Sequence, residues 1–84
     1  HFPEPSFLRR FNLLQQRLVG ERHLKMQLQE PTGGVVVDAI AFNVDLHQWP
    51  NPNIRQAQVA YRLDVNEFRG QQNLQLIVEQ LQAL

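Results

Sequence analysis

Cysteine is absent from this sequence of 84 residues, which excludes disulfides and thiolate metal sites. A small domain without these cross-links is typical of a reducing compartment, so we expect a cytoplasmic protein. No apolar run approaches the ~20 residues of a membrane-spanning helix, and no signal-peptide pattern opens the chain. We therefore expect no membrane partner. Because His1 is not a methionine, we also expect a piece of a longer gene product, or a chain left by processing or tag removal.

The chain also lacks an excess of charge, since Lys+Arg 8 and Asp+Glu 8 give a net charge of +0. This balance argues against a strongly basic nucleic-acid binder, whose affinity comes mainly from neutralising phosphates. The distribution is uneven, however, because residues 1–25 hold five basic and two acidic side chains. A basic amino-terminal third is compatible with a phosphate-contacting edge. The alternative is a chance cluster on a solvated face.

Catalytic motifs are equally scarce. Gly33-Gly34 is not followed by the Lys-Ser or Lys-Thr of a phosphate-binding loop. The three histidines do not have the short spacing of a zinc site, and Ser6 has no neighbouring base to activate it. The aspartates lie on different segments. We therefore expect a non-catalytic domain with no cofactor and no metal of its own.

The length allows one domain, and its composition of 43% hydrophobic residues is typical of a folded one. Pro3 and Pro5 predict an extended lead-in over residues 1–6, followed by a single domain over residues 7–84. Period-two alternation predicts five strands in that domain. They are placed at Phe11–Val19, His23–Gln29, Val35–Phe42, Gln58–Val65 and from about Asn73 onward.

The second predicted strand has the clearest pattern. Leu24, Met26 and Leu28 should face the core, with His23, Lys25 and Gln27 outward. On the first strand Leu14 and Leu18 share one parity, and Gln15 and Arg17 the other. On the fourth, the residues of inward parity are Val59, Tyr61, Leu63 and Val65.

The other aromatic residues predicted for the core are Phe11, Phe42 and Phe68, whereas Trp49, in a proline-bounded loop, should be exposed. Residues 43–49 could form a short helical turn that Pro50 and Pro52 cannot continue. Leu76–Leu84 could be an amphipathic helix, but we favour a strand with a helical tail. Three strands, a short helical or irregular link and two strands predict an all-β, five-stranded OB-type barrel. A barrel with different closure is the alternative.

An OB barrel binds single strands through strands 2 and 3 and through the loops that join strands 1–2 and 4–5. Arg22 lies in the first of these loops and Arg69 in the second, next to glycines. These two are the best candidates for phosphate contacts, because the arginine fork donates two parallel hydrogen bonds. The other candidates are Arg17, His23 and Lys25, for which a solvated surface position is the alternative.

Three blocks of the sequence carry a family resemblance. LVGERHLKM (residues 18–26), DAIAFN (38–43) and AYRLDVNEFRG (60–70) closely resemble the carboxy-terminal OB domain of bacterial RecJ, above all its proteobacterial members. The resemblance extends over about residues 7–82. Its matching positions include Arg22, His23, Lys25, Asn66 and Arg69.

The resemblance implies a parent exonuclease that degrades single-stranded DNA from the 5′ end. It also implies Mn²⁺ or Mg²⁺ in catalytic domains whose Asp and His motifs are absent from this chain. The OB domain would then help to hold single-stranded DNA beside those catalytic domains. A second possibility is an interaction module that docks on the catalytic domains of the same parent chain or on the single-stranded-DNA-binding protein.

Overall fold

Five β-strands close into one barrel in this protein. The structure, a computed structural model, describes residues 7–84 and, within them, every side chain except those of Asn66 and Phe68. The strands are β1 (Phe7–Val19), β2 (His23–Gln29), β3 (Val37–Ala41), β4 (Gln56–Phe68) and β5 (Gln71–Ala83). Residues 7–84 contain no helix, so the all-β prediction is confirmed and β5 has no helical tail. The predicted lead-in, residues 1–6, lies outside the described part.

The strands follow the order β1-β2-β3-β5-β4 around the barrel, and β4 returns to β1. Every neighbouring pair is antiparallel except β3 and β5, which are parallel. The strand β1 serves two neighbours: residues 7–12 pair with β4 and residues 12–19 pair with β2. This sharing closes the barrel, with each half of β1 paired on one of its two edges.

A β-bulge in β1 places Leu14 on the opposite face from the one predicted. The register with β2 shifts between Leu13 and Gln15, so Leu14 is the extra residue. A bulge reverses the side-chain alternation, which leaves Leu14 50% exposed while Leu13 is buried. Leu18 lies opposite the buried Leu24 but at the rim of the barrel, where 40% of it stays exposed.

The core is built from the inward faces of all five strands. Leu24, Met26 and Leu28 are exposed by 0%, 1% and 0%, so the predicted register of β2 is confirmed. Alanines supply the inward positions of β3, a strand that begins at Val37 rather than at Val35. The buried hydrophobic residues are Phe11, Leu13, Leu24, Met26, Leu28, Ala39, Ala41, Trp49, Ala57, Val59, Tyr61, Leu76 and Val78.

The link between β3 and β4 packs into the core. Trp49 is only 3% exposed, so the prediction of an exposed tryptophan is wrong. The backbone N–H groups of Gln48 and Trp49 donate to the carbonyl of Asp45 at 3.0 and 2.9 Å, which forms the single helical turn that was predicted. The Gln16 side chain holds the end of the link, because it donates to the Asn51 carbonyl at 2.7 Å and accepts from the Asn51 N–H at 2.9 Å.

The hairpin of β4 and β5 extends beyond the barrel. After Tyr61, β4 pairs only with β5 within residues 7–84, and residues 71–74 of β5 pair only with β4. We call residues 62–74 the hairpin arm. Leu63 and Val65 continue the inward parity of β4 but are 53% and 57% exposed, because within residues 7–84 only β5 pairs with this part of β4. Their predicted core positions are therefore wrong.

Candidate nucleic-acid interface

The outer face of the barrel carries side chains in rows that cross the strands. Directly paired residues project to the same side of a sheet, so the strand registers define these rows. The first row, here the cationic row, contains Arg17, Lys25, Ile40, Ile77 and Arg62. The second row, here the acidic row, contains Gln15, Gln27, Asp38, Gln75 and Asp64.

Arg17 and Lys25 form the centre of the candidate site. They lie directly opposite each other on β1 and β2, and both line a shallow groove of about 270 Å³. Like charges in this position repel each other. Within residues 7–84 neither of them forms an ion pair, since the pair found there is Arg9–Glu30 at 3.0 Å. An anion bound in the groove would relieve this repulsion between the two cations. The Asp38 carboxylate, which also lines the groove, would repel that anion.

The β1–β2 turn places Arg22 at the end of β1 and β2 that also carries Arg17 and Lys25. Gly20 has a φ of 66°, which a glycine adopts without steric strain, and Val19 pairs with His23 to close the turn. The Arg22 carbonyl accepts a hydrogen bond from the Val44 N–H at 2.9 Å. This bond ties the turn to the link after β3. The exposed Arg22 side chain therefore projects from an anchored backbone.

Phe42 is an aromatic residue on the outer face that the sequence pattern misplaced. It follows the inward-facing Ala41, so its ring projects outward and is 52% exposed. The rings of Phe42 and His23 meet edge to face, with centroids 5.1 Å apart. The prediction of a core Phe42 is wrong because the inward positions of β3 are filled by alanines. That pair of alanines, at alternate positions just before Phe42, is the signal that could have placed it outside.

Arg69 lies at the tip of the hairpin arm, away from the other predicted site residues. Gln71, beside the tip, is six positions before Ile77 of the cationic row on β5, or roughly 20 Å away at ~3.3 Å per residue. The acidic row lies between the two places. Arg17, Arg22, His23 and Lys25 are thus brought together at the β1–β2 end, and Arg69 is not among them.

The turn that holds Arg69 is a two-residue hairpin turn with positive φ at both positions. Arg69 has a φ of 52° and Gly70 a φ of 77°, between the paired residues Phe68 and Gln71. Turns of this kind favour Asn-Gly, because a bulky side chain is strained at positive φ. A strained residue in an exposed turn motivates a functional hypothesis for that residue.

In the described part of the chain, no three His, Cys, Asp or Glu side chains are close enough together to hold a metal ion. That part of the chain also contains no helix with the length and apolar character required to cross a membrane.

A closed five-stranded barrel with this strand order, joined between β3 and β4 by a short link, is an OB fold. The chain matches the RecJ OB domain family over residues 1–80, and it belongs to that family.

Similar proteins include the single-stranded-DNA-specific exonucleases RecJ of Dickeya dadantii and Escherichia coli. The first is 57% identical over 99% of this chain and the second 55% identical over 95% of it. The chain spans 14% of the length of each of these relatives.

Two solved structures share the fold. RecJ from Thermus thermophilus, in complex with Mg²⁺, has a TM-score of 0.71 and 24% identity; the match covers 98% of this chain and 12% of that one. The SSB domain of a Synechococcus protein has a TM-score of 0.70 and 15% identity, with 98% of both chains covered.

Proposed function

We propose that this barrel is the accessory single-stranded-DNA-binding domain of a RecJ-like exonuclease. The parent enzyme would degrade single-stranded DNA from the 5′ end in cytoplasmic DNA repair and recombination. The observation that carries the proposal is the Arg17–Lys25 pair, two directly opposed cations in a groove on the face that OB folds use for single strands. The names of the relatives supply the substrate class.

The remaining predicted residues extend this contact. Arg22 projects from the β1–β2 turn and donates hydrogen bonds to a second phosphate. His23 contacts the DNA strand at the same end of β2. Arg69 contacts the strand further along, at the hairpin arm. A strand that covers the ~4–16 nucleotides of an OB site is long enough to reach both places.

The divalent metal of the parent enzyme would belong to other domains. The donor set for Mg²⁺ or Mn²⁺ is a cluster of carboxylates, and the described residues provide no such cluster. The barrel therefore contributes binding and guidance of the strand and takes no part in bond cleavage.

Salt-dependent binding tests the proposal. Fluorescence anisotropy with a labelled single-stranded oligonucleotide should show weak binding, and each phosphate contact adds about 0.7 to the slope of log affinity against log salt. The Arg22→Ala/Arg69→Ala variant should flatten the slope by about 1.4. The control is Arg10→Ala/Arg55→Ala, which removes the same charge from exposed positions outside the groove. Equal slopes in the two double variants would contradict specific phosphate contacts of Arg22 and Arg69.

The exposed apolar side chains of the hairpin arm favour a second candidate function. Leu63, Val65 and Leu74 are 53%, 57% and 46% exposed, which suits a docking surface for the catalytic domains of the parent chain. The single-stranded-DNA-binding protein is the other partner considered. If docking were the only role, the wild-type chain would not bind DNA. A Val65→Asp substitution would then weaken binding to separately produced catalytic domains.

A further inference from the structure

Phe42 lies exposed at the end of β3, beside the cationic row, and we infer that an unpaired nucleobase stacks on its ring. The inference rests on the proposed function and adds the contact that would recognise bases. The cations of the groove recognise phosphates, which every single strand and every duplex carries. A stacking residue would give the site its preference for strands with accessible bases.

The Phe42 ring is in contact with a neighbouring side chain before any ligand arrives. Its edge-to-face contact with His23, at 5.1 Å between centroids, limits rotation of the ring. The imidazole is itself held, since its Nδ1 accepts a hydrogen bond from the Asn43 N–H at 3.4 Å. The side chain is nevertheless 52% exposed. A ring already restrained by a contact loses less conformational entropy when a base covers it, which favours binding.

The charges around the ring match a nucleotide strand. Phe42 follows the last residue of β3 and is the next outward position after Ile40, whose partner on β2 is Lys25, so the ring lies roughly 7 Å from the cationic row. Arg22 directly precedes His23, on the other side of the ring pair. A base on Phe42 would thus have a cation near the phosphate at each end of its nucleotide. Aromatic rings interleaved with cations are the usual construction of single-strand sites.

Acidic side chains limit the direction of the strand. Glu79 and Asp45 line a shallow groove together with Phe42, and Asp38 lines the groove of the Arg17–Lys25 pair on the side of the hairpin arm. All three carboxylates repel phosphates. The nucleotides next to Phe42 therefore pass over β2 toward Arg17, and a contact with Arg69 belongs to nucleotides further along the strand.

Base stacking can be separated from phosphate binding with two probes. The first is oligothymidylate of about 12 nucleotides, within the ~4–16 nucleotides of an OB site, and the second is an abasic strand of the same length and charge. Phe42→Ala should bind oligothymidylate roughly 5- to 150-fold more weakly than wild type, since stacking contributes about that factor per base. Its affinity for the abasic strand and its salt slope should stay unchanged. Leu46→Ala, at a residue of 51% exposure, is the matched control.

A second variant reports stacking directly and does not depend on a loss of function. Phe42→Trp adds an exposed indole, whereas the natural Trp49 is buried and gives a constant background. Its fluorescence should be quenched by oligothymidylate but not by the abasic strand. Leu46→Trp, the control, should show no quenching.

The outcomes separate the inference from the proposed function. Wild-type binding that is equal for both probes, or unaffected by Phe42→Ala, would overturn stacking and leave phosphate binding in place. A wild-type chain that binds neither probe would overturn both. A thermal melt of each variant shows whether lost binding reflects lost folding, in which case the quenching experiment decides alone.

Discussion

Replacing Arg69 with asparagine should make the barrel more stable than replacing it with alanine. Both substitutions remove the same arginine side chain and its contacts, but they differ in how well they tolerate the φ of 52° at this position. Asparagine adopts positive φ readily and is the preferred residue before glycine in such a turn. At positive φ the Cβ of alanine is too close to the backbone carbonyl oxygen, and alanine has no polar side chain to offset this cost with a local hydrogen bond.

The size of the difference follows from the conformational term. Left-handed geometry costs most L-residues roughly 1–2 kcal/mol, and asparagine avoids part of this cost. We expect the free energy of unfolding of the Arg69→Asn variant to be about 0.5–1 kcal/mol higher than that of the Arg69→Ala variant. For a domain of this size the difference corresponds to roughly 2–8 °C in melting temperature.

Urea denaturation followed by tryptophan emission measures this difference, since Trp49 is the single tryptophan and lies in the core. Equal stability of the two variants, or a more stable alanine variant, would refute the turn geometry assigned to Arg69. Higher stability of Arg69→Asn than of wild type, with weaker DNA binding, would show that the arginine is kept for function at the expense of the turn.

Two further predictions concern the faces of β2 and the groove. Met26→Ala should lower the free energy of unfolding by about 2–5 kcal/mol and Lys25→Ala by no more than about 0.5, as measured by urea titration; similar losses would contradict the register of β2. Asp38→Asn should raise affinity for single-stranded DNA roughly 2- to 3-fold in anisotropy titrations, because one exposed charge near a phosphate is worth about 0.5 kcal/mol. Glu30→Gln, the same charge change outside the groove, should have a smaller effect.

Local patterns in the sequence predicted the parts of the fold that depend on local geometry. The alternation at Leu24, Met26 and Leu28 identified β2 and its inward face without error, because each side chain has only two faces to choose from. Gly20 and Gly70 marked two turns, both now found at positive φ. The order of strands and link was sufficient to predict the barrel.

The errors lie where burial depends on distant parts of the chain. Leu63 and Val65 have the alternation of core residues, but in the described part of the chain β1 pairs with β4 only as far as Tyr61, so no described strand covers them. Trp49 sits among prolines and yet packs in the core, because hydrogen bonds to the Asp45 carbonyl and between Gln16 and Asn51 hold the link against the barrel. In the candidate site the arginines could be proposed from composition and turns. Phe42 could not, since its face depends on the alanines of β3.

The parallel pairing of β3 with β5 has a consequence for how the chain folds. It pairs Asp38 with Gln75. The pairing of β1 with β4, which also closes the barrel, pairs Phe7 with Tyr61. Both pairings therefore connect distant parts of the sequence. Such long-range contacts make folding slow, on the order of milliseconds to seconds for small β-barrels. Until β5 arrives, the meander of β1, β2 and β3 has an open edge at β3, where other chains can pair with it. Substitutions that weaken β5 should therefore increase aggregation during synthesis more than equally destabilising substitutions in β2.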